Sequence, residues 1–210
     1  MLNEYHKKYM EKSDSEIAVH VQVKEIGLRQ VFGTLGLPRM NGPEAAVLVL
    51  GCADKRFVPE HERIFSSILG RPVKLLTIDV ETEHLSGVPG VIQHNATEPL
   101  PGGPYDVVYG DVLVRFVEPE KQSKVLKNSY DSLAAGGMAI HIFAKEDFDP
   151  PAGYAPLPGT HKVDMNSLQL ELTKIGIQYL EVPLRYDVPK PGMEGEKMLI
   201  DELAIVLRKG

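Results

Sequence analysis

Apolar residues follow two rhythms along this chain. Some form short unbroken runs that end at a glycine or a polar turn, and others recur every third or fourth position. The runs read as buried strands and the spaced stretches as amphipathic helices. The clearest run is Ala46-Val47-Leu48-Val49-Leu50. It stops at Gly51, crosses Cys52-Ala53-Asp54-Lys55-Arg56, and reaches Pro59, which suits the first turn of a helix closed by Gly70. Strands are predicted at 47–50, 73–78, 91–93, 105–109, 138–143, 177–184 and 203–207. The first helix begins at the capping box Ser13-Asp14-Ser15-Glu16, carries Ile17, Val21, Leu28, Phe32 and Leu35 near one face, and ends before Gly36 and Pro38. Further helices are predicted over 118–135, stopped by Gly136-Gly137, and from Met165 to Ile175, stopped by Gly176. Residues 147–160 are rich in proline and glycine and read as a long loop or lid.

Strand and helix alternate until two strands follow each other at the end. Alternation demands a parallel sheet with helices on both faces, and the final pair adds an antiparallel strand. The expected architecture is α/β: a doubly wound, mostly parallel seven-stranded sheet with an antiparallel last strand. In such sheets ligands bind beyond the carboxyl ends of the strands.

Composition narrows the setting. The 210 residues suffice for one domain with a full core, and 43% hydrophobic with 25% charged residues fits a soluble globular protein. The net charge of −6 and the absence of a basic block argue against a nucleic-acid partner. One cysteine, Cys52, cannot make an internal disulfide. The polar first fifteen residues and the lack of a long apolar run point to a cytoplasmic protein with no membrane partner. No HExxH spacing or i, i+4 histidine pair occurs, so no metal site is expected.

The residues beyond the strand ends are the candidates for chemistry. Gly51 lets backbone approach a ligand, and the helix after it offers free N–H groups. Asp79 ends an apolar strand, where a carboxylate accepts both hydroxyls of a ribose or merely holds a turn. Asn95 either bonds an adenine edge or its own turn. Asp111, after Tyr109-Gly110, either faces the reactive end of a ligand or caps the next segment. Cys52 reads as a small buried residue rather than a nucleophile. His94 and His141 are further candidates for the cleft.

Taken in order, these segments resemble the class I S-adenosylmethionine-dependent methyltransferases. Val47-Leu48-Val49-Leu50-Gly51-Cys52-Ala53-Asp54 resembles that family's first motif, and Leu75-Leu76-Thr77-Ile78-Asp79 its second, with the ribose-binding acid. Residues 91–101 resemble the adenine-side segment, 105–118 the fourth-strand segment, and Leu133-Ala134-Ala135-Gly136-Gly137-Met138 the turn before the fifth strand. The first motif is degenerate: Val49 stands where the family has an acid, and Ala53 and Lys55 where it has glycines.

The resemblance implies a Rossmann-like domain over 44–210, an N-terminal helical extension over 1–43, and S-adenosylmethionine as cofactor. It places the cofactor against Gly51, Cys52, Ala53, Lys55, Asp79, Val80, Asn95, Ala96, Gly110 and Asp111, with Lys55 or Arg56 pairing its carboxylate. The implied activity is in-line methyl transfer to a small-molecule acceptor, for which no catalytic residue is assigned. The N-terminal helix, 111–118, 147–160 and 187–197 would shape the acceptor side, with Tyr5, Tyr9, Arg115 and Tyr154 as candidate lining. One alternative stays open: with Val49, Ala53 and Lys55 in the first motif the cofactor seat has decayed, which leaves a non-catalytic binding or partner module. A homodimer stays open as a partner arrangement.

Overall fold

The computed structural model describes residues 4–190, 193 and 195–210. Seven strands make one sheet: β1 (Ala45–Leu50), β2 (Val73–Asp79), β3 (Val91–Gln93), β4 (Tyr105–Asp111), β5 (Leu133–Ala144), β6 (Tyr179–Pro189) and β7 (Lys197–Arg208). Their order is β3-β2-β1-β4-β5-β7-β6. The first five run parallel, while β7 lies antiparallel between β5 and β6. Helices α1 (Glu4–Met10), α2 (Asp14–Leu35), α3 (Phe57–Leu69), α4 (Pro119–Asp131), α5 (Lys145–Phe148) and α6 (Met165–Lys174) complete the fold. The expected α/β architecture is the one found. Among the described residues no helix is long and apolar enough to cross a membrane.

Successive strand residues face opposite sides, so each apolar run serves two cores. Val47 and Val49 join Val107, Tyr109, Ile140 and Val206 beneath α2 and α3. Leu48 and Leu50 join Val108, Phe143, Ile205 and Leu207 against α4 and α6. This double burial is why the strands read as continuous apolar runs. Leu28, Val31 and Phe32 of α2 belong to the first of these cores.

The capping box at the start of α2 is complete: the Glu16 N–H donates to Ser13 Oγ, and the Ser13 N–H donates to the Glu16 carboxylate. Gly70 closes α3 at φ 66°, as its position after the apolar stripe predicts.

Four expectations change. Helix α1 has no apolar stripe to announce it, because its sequence is mostly polar; it forms where His6 becomes buried and Tyr9 packs against the first core. The helix predicted over 118–135 ends at Asp131, and Gly136-Gly137 are not its stop. Leu133 already pairs with Tyr105, and the register shifts before Met138 pairs with Val107. The glycines form an irregularity inside β5, with Gly136 at φ 81° donating its N–H to the Lys209 carbonyl. Strand β6 starts at Tyr179, two residues later than predicted, and runs on to Pro189, while β7 outruns its prediction at both ends; exposed residues in these added parts hide the pattern. Much of the segment 187–197 is therefore strand; the rest lies between Pro189 and Lys197, and residues 191, 192 and 194 of it are outside the described set. Asp147 belongs to α5 rather than to the following loop.

Candidate functional site

The carboxyl ends of β1, β2 and β4 border a cavity of about 490 Å³. Its floor is Val49 and Gly51 to Ala53 after β1, Asp79 and Val80 after β2, and Tyr109 and Asp111 to Leu113 from β4. Tyr5, His6 and Tyr9 of α1 cover it, His20 and Lys24 of α2 and His61 of α3 form one wall, and Glu146, Met198, Ile200 and Glu202 form another. A second hollow at the other end of the sheet is lined by Arg39, Asn41, Gln178 and Arg208 among others, with no carboxylate side chain or histidine.

The β1 crossover is built for close approach. Gly51 has φ 74°, and its N–H donates to the Ile78 carbonyl of β2 at 2.8 Å. A Cβ there would meet Leu113 Cδ1 at 2.9 Å and Asp79 Oδ2 at 4.0 Å. Only glycine adopts this angle without strain. Asp79, 6% exposed, accepts the Cys52 N–H at Oδ2 (2.9 Å) and the Glu81 N–H at Oδ1 (3.0 Å). An ionised carboxylate has about four acceptor sites, so lone pairs remain for a ligand's hydroxyls. After β4, Val112 is held at φ 53°. A β-branched residue in that region is strained, and such strain concentrates at functional sites.

Two histidines sit beside Asp79. His84 donates from Nε2 to the Cys52 carbonyl at 2.6 Å, since a carbonyl can only accept. His6 stacks on it with ring centroids 3.8 Å apart and planes 20° from parallel. Burial, then the neighbouring His84, lowers the His6 pKa. Donor atoms of His6, Asp79 and His84 lie within 4.8 Å of one another. A shared metal needs in-plane lone pairs that converge. Near-parallel stacked rings direct theirs along separate planes, so this arrangement is a polar wall. Spacing along the chain gives no sign of the cluster.

The other end of the cavity is rich in carboxylates. Lys24 is ion-paired with Asp111. Burial opposes the lysine's charge, but the Asp111 carboxylate outweighs it and raises the pKa. Arg115 pairs with Asp147 at 2.7 Å, both buried. Burial pushes Asp147 upward against that pairing. Glu202 makes no side-chain hydrogen bond or ion pair to the described residues. Burial, then the nearby Asp111 charge, lifts its carboxyl to about 8, with Lys24 opposing. Sequence pattern gives no signal for Glu202, which interrupts a strand as an ordinary polar position. Only the pairing of β7 with Ala144 and Leu184 carries it to the cavity. Burial and the lysines Lys12 and Lys24 lower His20 to about 4, and burial lowers His61 to about 3. Neither imidazole carries charge at neutral pH.

Of the sequence candidates, Gly51, Cys52, Ala53, Asp79, Val80 and Asp111 line the cavity together, as do Tyr5, Tyr9 and Arg115. Lys55, Asn95, Ala96 and Gly110 do not. Lys55 is exposed. The Arg56 guanidinium is held by Asp54, Asp14 and the carbonyls of Tyr9 and Lys12, so it ties α1 and α2 to the crossover. Asn95 accepts from the Thr97 N–H and hydroxyl, stabilising its own turn. The Ala96 carbonyl accepts from Asn128. Gly110 backs onto His141, which is wholly buried in the sheet, and His94 bonds the Pro99 carbonyl, so neither histidine enters the cleft. Tyr154 is absent from the lining; Leu157 and Gly159 represent its loop. Cys52 is buried, and burial lifts its thiol to about 12, which removes it as a nucleophile.

No protein-family model matches the chain, and no curated protein matches it in sequence. Solved structures do match. An S-adenosylmethionine-dependent methyltransferase from Clostridium acetobutylicum ATCC 824 superposes with a TM-score of 0.63 at 11% identity, over 98% of this chain and 99% of its own. The N-methyltransferase NodS from Bradyrhizobium japonicum WM9, in complex with S-adenosyl-L-homocysteine, gives 0.53 at 13% identity, over 96% of this chain and 90% of its own. Sheet order, the antiparallel β7 and these superpositions agree that the chain has the fold of the class I S-adenosylmethionine-dependent methyltransferases.

Proposed function

We propose that this chain is an enzyme that transfers a methyl group from S-adenosylmethionine to a small-molecule acceptor. The observation that carries the reading is the contact of buried Asp79 with the side-chain-free crossover at Gly51, both facing one cavity. Asp79 would hold the ribose hydroxyls. The backbone at Gly51, Cys52 and Ala53 would bear against the rest of the nucleoside, and Val80 would supply an apolar surface. Asp111 would stand toward the reactive end. Lys55, Asn95, Ala96 and Gly110 are left out of this contact set because they do not line the cavity.

When bound, the cofactor supplies an electrophilic methyl group with a neutral thioether as leaving group. The protein's task is then to align an acceptor lone pair and exclude water. Tyr5, Tyr9 and Phe116 supply an aromatic lining for that purpose, with Tyr5 packed 4.9 Å from Tyr9 and 4.7 Å from Phe116. The alternative, a non-catalytic module, rests on Val49, Ala53 and Lys55 in the first motif; Lys55 is outside the cavity, and Val49 and Ala53 bring only small apolar side chains to its lining.

Calorimetry with S-adenosylmethionine and S-adenosylhomocysteine tests the proposal. Both are expected to bind and to raise the melting temperature. Asp79→Asn and Asp79→Ala are expected to weaken binding by roughly 10- to 100-fold, the value of a charged hydrogen bond. Absence of binding at millimolar ligand, or unchanged affinity in both variants, refutes it.

A further inference from the structure

The carboxyl groups around the cavity are not all committed to ion pairs, and its lining also carries Lys8 and Lys12. Asp111 is neutralised by Lys24 and Asp147 by Arg115. Glu146 and Glu202 also line the cavity, and neither has an ion pair among the described residues. Orphaned polar groups border the same cavity. Tyr109 Oη and both ring nitrogens of His61 are buried without a hydrogen-bond partner among the described residues, and their rings are 5.9 Å apart. Unpartnered buried groups that border a cavity are places where a ligand's polar atoms bond. The Tyr9 and Phe116 rings already carry Lys12 and Arg115, 5.4 and 5.5 Å from their centroids, while the Tyr5 ring lines the cavity with no cation of the described residues over it.

Resting on the methyltransferase reading, we infer that the acceptor is a primary or secondary amine that arrives as its ammonium ion, is held by Glu202, and loses one proton to it. An ammonium nitrogen has no lone pair and cannot attack a methyl group. One N–H bond breaks, its electron pair stays on nitrogen, and an O–H bond forms on the Glu202 carboxylate. Charge balances, since ammonium and carboxylate become neutral amine and carboxylic acid. A carboxyl of ordinary acidity would be a poor partner for this transfer; burial and Asp111 bring Glu202 to about 8, much nearer to an amine. The groups that face Glu202 are Lys24 of α2, Tyr109 and Asp111 of β4, Glu146 and Asp147 of α5, and Tyr186 of β6. Lys24 alone among them is cationic, and it is committed to Asp111.

The test is a calorimetric titration of the full chain, first with S-adenosylhomocysteine and then, on the loaded protein, with benzylamine, phenethylamine and cyclohexylamine. Each amine is compared with the alcohol of the same skeleton. Near pH 7 free Glu202 is mostly protonated and a bound ammonium requires it to give that proton up. Amine binding is therefore expected to release about one proton to solvent, read as a heat that varies with the buffer's ionisation enthalpy. Amines are expected to bind at least about tenfold more tightly than their alcohols. In Glu202→Gln the proton release and the preference are lost, while S-adenosylhomocysteine affinity is unchanged. Equal binding of amines and alcohols, no heat from any amine at tens of millimolar, or no proton release by the wild-type chain overturns the inference. The wild-type measurements need no variant to fold. Amines that bind to a chain with no affinity for S-adenosylhomocysteine would sink the cofactor reading and with it the acceptor role, leaving only ammonium binding at Glu202; a chain that binds S-adenosylhomocysteine but no amine would overturn this inference alone.

Discussion

Glu202→Gln changes stability as well as binding, and the sign follows from linkage. In the folded chain the Glu202 carboxyl titrates at about 8, against an ordinary value of 4.5. Between those values the native state keeps a proton that the unfolded chain releases. Stability attached to that proton is complete below about pH 4.5, falls as pH rises, and is gone above about pH 8. Every tenfold gain in proton affinity on folding is worth about 1.4 kcal/mol, which sets an upper bound near ~5 kcal/mol. The carboxylate borders an open cavity and faces Lys24. Water and that charge screen it, so roughly 2 kcal/mol is expected. Glutamine keeps the shape and never ionises. The variant should therefore match the wild type at about pH 4 and exceed its stability by that amount at about pH 9. Urea unfolding of both proteins across this range measures the difference, and titrations common to both cancel. Curves that stay parallel throughout would show that Glu202 is not held protonated by burial.

Two further outcomes are expected from urea unfolding. Gly51→Ala forces a Cβ to 2.9 Å from Leu113 at φ 74°; it should cost about 2 kcal/mol and abolish S-adenosylhomocysteine binding, and a neutral effect on both would remove the close-approach argument. Ser13→Ala breaks the capping box of the helix that carries His20 and Lys24 to the cavity; a loss of about 1 kcal/mol is expected, and none would mean that tertiary contacts alone hold the start of α2.

The linear sequence determined what depends on neighbours along the chain. Unbroken apolar runs exposed the strands because both faces of the sheet are buried, and glycines such as Gly70 marked helix ends because they reach a backbone angle closed to other residues. Alternation then dictated a parallel sheet, and strand ends picked out Gly51, Asp79 and Asp111. Local pattern failed where pairing with distant segments overrides it. Gly136-Gly137 read as a helix stop, yet the partner β4 draws them into β5. Polar α1 showed no stripe, yet His6 is buried and stacked on His84. Lys55 looked obstructive and is exposed, while Arg56 is consumed by Asp54 and Asp14. Glu202 lay outside every motif and reaches the cavity through the antiparallel register of β7. The electrostatics of the acceptor end belong wholly to the tertiary structure, because burial and the distances between Lys24, Asp111 and Glu202 come from segments that meet only when the sheet closes.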